Sequence, residues 1–114
     1  MTKEGFMKKY PEGMTFDVLG TTYTLHYNDT IYDEHDANGL SEYYAKEIIL
    51  TLKGYEDPEA FKNVGEYYKK VLRHELIHAF FHEMGLATYA RDEVLVDALA
   101  IKFPQMYKLL KGIF

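Results

Sequence analysis

Polar and apolar positions alternate from Met14 to Tyr27, whereas beyond Pro58 the apolar positions recur with a helical period. The chain therefore predicts strands first and helices after. Thr15-Phe16-Asp17-Val18-Leu19 and Thr22-Tyr23-Thr24-Leu25-His26-Tyr27 flank Gly20, a pattern of β-branched and aromatic residues around a turn that predicts a hairpin. The polar, acidic run from Asn28 to Asp36 reads as a loop. Asn38-Gly39 is a turn signal, and a second pair of strands is expected over Ser41 to Ala45 and Glu47 to Leu52. The first 13 residues, ending in Pro11-Glu12-Gly13, carry neither period and are expected to form a mobile lead.

Gly54 to Pro58 punctuates the chain, and Asn63 with Glu66 three residues on resembles a capping box. A helix is expected from there to about Met84, with Gly85 as its stop. Val71, Leu72, Leu76, Ile77, Phe80, Phe81 and Met84 would occupy most of its circumference, which predicts a central, buried helix. A second helix is expected from Arg91 or Asp92 to Phe103, and Pro104 would open a third, short one through Tyr107 and Leu110. Strands followed by helices define an α+β fold, and 114 residues suffice for one domain with one core.

Composition narrows the chemistry. There is no cysteine, which excludes disulfides, thiolate-held metals and thiol nucleophiles, so any metal must be held by His, Asp and Glu. A net charge of −5, with lysines only in short pairs such as Lys8-Lys9 and Lys69-Lys70, argues against nucleic acid as a partner. No run approaches the roughly 20 apolar residues of a membrane helix, and no apolar segment follows the basic N-terminus. A cytoplasmic protein with no membrane partner is expected.

The informative stretch is His74-Glu75-Leu76-Ile77-His78. Residues four apart on a helix differ by about 40° in direction and about 6 Å in rise. Their imidazoles can therefore converge on one tetrahedral zinc, with Glu75 beside them as general base for the metal's water. The competing reading is a metal-free core with satisfied histidines, and it must account for burying three polar side chains in an apolar segment. Two candidates compete for the third ligand. His82 continues the series but stands about 12 Å of rise above His74, whereas ligand atoms on one zinc lie about 3–3.5 Å apart. Glu93 comes from the next helix, with Asp97 four residues on as acceptor for a ligand histidine; the bland alternative is a solvated acid at a helix start.

His74-Glu75-x-x-His78 followed by Asp92-Glu93-x-x-x-Asp97 resembles the gluzincin pattern, with Asp92 where many members have Asn. The run from Val71 to Tyr107 is similar to small metallopeptidases of phages and prophages. The resemblance implies a minimal zincin-like domain, in which a small antiparallel or mixed sheet packs on the HExxH helix. It also implies one zinc per chain on His74, His78 and Glu93, with Glu75 catalytic and Asp97 buttressing a histidine. Tyr89, His82, Arg91 and Tyr43 are the candidates for stabilising an oxyanion, and a substrate strand would add along Leu40–Ala45 or Glu47–Leu52. A protein or peptide substrate is implied. A zinc-bound adaptor that recognises a strand with little or no turnover is the alternative.

Overall fold

A computed structural model describes residues 2–35, 37–53 and 64–114. Its elements, in order, are α1 (Lys3–Lys9), β1 (Thr15–Val18), β2 (Thr21–Tyr27), α2 (Thr30–His35), β3 (Gly39–Glu42), β4 (Glu47–Leu50), α3 (Val64–Glu83), α4 (Ala87–Ala90) and α5 (Glu93–Ile113). The fold is α+β, as the order of periods predicts.

The four strands form one mixed sheet in the order β1-β2-β4-β3. The hairpin at Gly20 forms, with Val18 paired to Thr21. Leu19 and Gly20 between them both take positive φ, of 53° and 94°. That is the two-residue turn whose twist matches the strands it joins. β2 then pairs with β4 in parallel, Leu25 opposite Ile48, while β3 and β4 are antiparallel and leave β3 at an edge. Tyr23, Leu25, Ile48 and Leu50 point to one face and are almost fully buried. Against them lie Val64, Tyr68, Val71, Leu72 and Ala79 of α3.

Several expectations are corrected. The lead is not loose: Thr2 caps α1 by accepting from Gly5 N at 3.0 Å. The α1 side chain of Phe6 is completely buried, its ring 5.4 Å from that of Tyr68. One apolar residue anchors the whole turn, too little to make a period. The polar stretch after Asn28 likewise contains α2, seated by the buried Ile31. β3 starts at Gly39, and residues 43–46 make the turn, so Asn38-Gly39 is not a turn. Asn63, the expected cap, lies outside the described residues.

α3 is central but not covered all round: Phe80 and Met84 are exposed at its far end. Its stop is as predicted. Gly85 has φ 78°, Leu86 N donates to Phe81 O at 2.9 Å and Gly85 N to His82 O at 3.0 Å, the paired bonds of a Schellman end. Asp92 caps α5, its carboxylate accepting from Leu95 N at 3.1 Å. Pro104 does not divide α5, which runs through it to Ile113. A proline at 104 removes the bond that would end on the carbonyl of Ala100; Arg73 Nε donates to that carbonyl at 2.9 Å. Among the described residues no helix is long and apolar enough to cross a membrane.

Candidate metal centre

The site forms where α3 passes between the β3 edge and the α4–α5 pair. His74 and His78 occupy successive turns of one face of α3, as four-residue spacing requires. Glu93 enters from the first turn of α5. His74 Nε2 and His78 Nε2 are 3.2 Å apart, Glu93 Oε2 is 3.0 Å from the first, and Glu93 Oε1 is 3.1 Å from the second. These three side chains form a group that could hold a metal ion. With one atom taken from each residue, all three lie within 4.8 Å of one another, and the 3.2 Å between the two imidazole nitrogens is close to the edge of a ligand tetrahedron drawn at about 2.0–2.1 Å from its centre.

The other ring nitrogens fix the tautomers. His78 Nδ1 meets the backbone carbonyl of Ala90, which can only accept. His74 Nδ1 lies 3.3 Å from Asp97 Oδ1, whose carboxylate also faces Lys70 Nζ at 3.4 Å. Both Nδ1 atoms are therefore donors, and in the neutral rings both Nε2 lone pairs point at each other and at a carboxylate. Three electron-pair donors so placed repel unless positive charge sits among them. Protons on the rings could meet that need, but a metal ion engages all three donors at once. The donor set fits it.

Glu75, one residue after His74, turns toward the sheet and is 7% exposed. Burial pushes its carboxyl up to about 8, and the negative charge of Glu93 acts in the same direction. Its neighbour across the interface is Gly39: a Cβ there would stand 2.9 Å from Glu75 Cγ, 2.9 Å from Val71 Cγ1 and 3.0 Å from Glu75 Oε2. The glycine is needed because helix and strand approach so closely, and its φ is not positive.

A cleft of about 620 Å³ runs over these groups, walled by Gly39–Ser41 and Tyr43 on one side and by Ala90 and Arg91 on the other. His82 lies in this cleft but outside the group of three; its ring stacks on Tyr43 with centroids 4.0 Å apart. Of the four residues considered for an oxyanion, His82, Tyr43 and Arg91 line the cleft, whereas the ring of Tyr89 stands 6.4 Å from that of Phe81. The structure thus brings His74, Glu75, His78, Glu93 and Asp97 to one place. Sequence reasoning missed Gly39 and the Ala90 carbonyl. The first carried a signal that read as a turn, and a backbone carbonyl carries none. No family model, no curated protein and no solved structure matches the chain.

Proposed function

We propose that the chain is a zinc-dependent peptidase acting on an extended segment of a protein, the reading to which the gluzincin-like pattern of its sequence points. The observation that carries it is the convergence of His74 Nε2, His78 Nε2 and the Glu93 carboxylate, whose Oε2 stands 3.0 Å from the first nitrogen and Oε1 3.1 Å from the second, beside the buried Glu75. Two imidazoles and one carboxylate, without any thiolate, are a ligand set that suits zinc and leaves a fourth position for water or substrate. When bound, the metal supplies a Lewis acid for the scissile carbonyl and acidifies a water molecule.

The chain's own residues supply the rest. Glu75 takes the proton of the attacking water as the new C–O bond forms, and delivers it to the amine nitrogen as the C–N bond breaks. Asp97 and the Ala90 carbonyl hold the imidazoles by their Nδ1–H groups, which keeps both Nε2 atoms facing inward. The edge of β3, unpaired among the described residues, lines the cleft and offers backbone groups to an extended chain.

The test compares new protein termini in an extract treated with the zinc-loaded chain or with its Glu75→Gln variant. Gln keeps the shape and removes the base, so cleavage should fall by about 10²-fold or more while zinc is retained. Equal cutting by both would remove Glu75 from the reaction. If neither cuts and both hold the same protein partner, the zinc-bound adaptor is the better reading.

A further inference from the structure

From residue 101 to its end α5 stands clear of the body, every residue exposed. It does so with side chains that a free surface does not favour. Phe103 is 44% exposed, Leu110 49%, Ile113 65% and Phe114 97%. A patch of this kind marks an interaction surface.

The arrangement of these side chains narrows what covers them. At about 100° per residue, all large apolar side chains from Phe103 onward fall within an arc of about 160°. Gln105, Lys108, Lys111 and Gly112 fall in the remainder with Ile101, and Lys102 lies just inside the arc at its Leu109 edge. The centre of the apolar arc, near Met106 and Leu110, is turned by about 80° from the direction in which Val96 and Ala100 enter the core. The stripe therefore faces sideways from the body. Charge in this stretch has one sign: Lys102, Lys108 and Lys111 lie in it, and none of the chain's 18 acidic residues falls between Ala98 and Phe114.

We propose that the C-terminal half of α5 is a docking helix for an anionic lipid surface, lying in the headgroup region with its apolar arc inward. The arc is convex and bulky, with aromatic and aliphatic side chains and no small residues to seat a second helix. Its polar face carries Lys108 and Lys111 beside Gln105 and no acid, the combination that holds a helix in the plane of an interface. Lysines flanking such an arc keep their stems in the apolar layer and their ammonium groups at the phosphates. This mode of attachment needs no membrane-spanning segment.

The test uses the full chain and sedimentation with vesicles of phosphatidylcholine alone or with about a quarter phosphatidylglycerol. Binding is expected only to the anionic vesicles, weakening as salt is raised. Changing Lys102, Lys108 and Lys111 to Gln together should reduce it by about fivefold per lysine. Leu110→Glu, at an exposed position, should abolish it while leaving the melting curve intact. No sedimentation with anionic vesicles overturns the proposal. So does equal, salt-insensitive binding to neutral vesicles. A concentration-dependent dimer that Leu110→Glu dissolves, with no vesicle binding, would assign the surface to a second copy of the chain instead.

Discussion

Arg73 of α3 donates from Nε to the carbonyl of Ala100 in α5, the one carbonyl that Pro104 strips of its helical partner. Ala100 is fully buried, so water cannot stand in for the missing donor. One hydrogen bond thereby lets α5 run on through a proline and ties it to the helix that carries His74 and His78.

Removing that donor should cost about 1–3 kcal/mol, because a buried carbonyl is left without a partner. Arg73→Met keeps the aliphatic stem and isolates the effect. In a Pro104→Ala background, where the chain's own N–H returns, the same substitution should cost markedly less. Denaturant titration of the four proteins measures the coupling; equal costs in both backgrounds would separate the two residues.

Gly39→Ala should destabilise the fold by about 1–3 kcal/mol, an overpacking cost. The new methyl would meet Val71 and Glu75, both held in the interface. Thermal melting measures the loss, and Gly39→Val should be worse. If hydrolysis is found, its rate in Gly39→Ala should fall more than stability explains, since Glu75 must shift.

Acid should unfold the chain partly through Glu83. Hydrogen bonds from Lys46 and then Tyr23, aided by Thr21, hold its carboxyl down to about 2 from the ordinary 4.5, against the opposing effect of burial. A lowered folded value means the unfolded state binds the proton first, so the stabilisation is full above the unfolded value and is lost as pH falls from 4.5 toward 2. Denaturant midpoints should decline across that window. Glu83→Gln should start lower near neutrality and decline less steeply.

Chelator competition separates the candidate ligands. Glu93→Ala should weaken metal binding strongly, and Asp97→Asn by about 10–100-fold. His82→Ala should leave affinity nearly unchanged, since its ring is stacked on Tyr43 and lies outside the group of three. Loss of metal in His82→Ala with retention in Glu93→Ala would reverse the assignment. Metal removal should also lower the melting temperature, because the ion binds the folded state.

Legibility in the sequence followed the range of the interaction. The shared face of His74 and His78, the Gly85 stop and the hairpin at Gly20 are local, set by spacing or by positive φ at the turn, and all could be read directly. Glu93 and Asp97 were readable for the same reason, as a carboxylate pair at helical spacing. The misreadings at Gly39 and Pro104 share a different cause. Each residue breaks a local rule, and each is explained by a partner far along the chain: Val71 and Glu75 for the glycine, Arg73 for the proline. Phe6 and Ile31 show a third limit, where one buried side chain holds a short helix and leaves no period to detect.

α5 has its substantial contacts with α3 and α4. Glu93 and Asp97 thus reside on a segment whose hold on the sheet is indirect. Such a unit can open without unfolding the remainder, and its amides should exchange with solvent at a lower free energy than those of β2 or α3. An ion bridging His74 and Glu93 closes a chain loop across that weak seam. A metal held there would act as a latch for α5, and its withdrawal would show first as loss of exchange protection in that helix, before any change in the sheet.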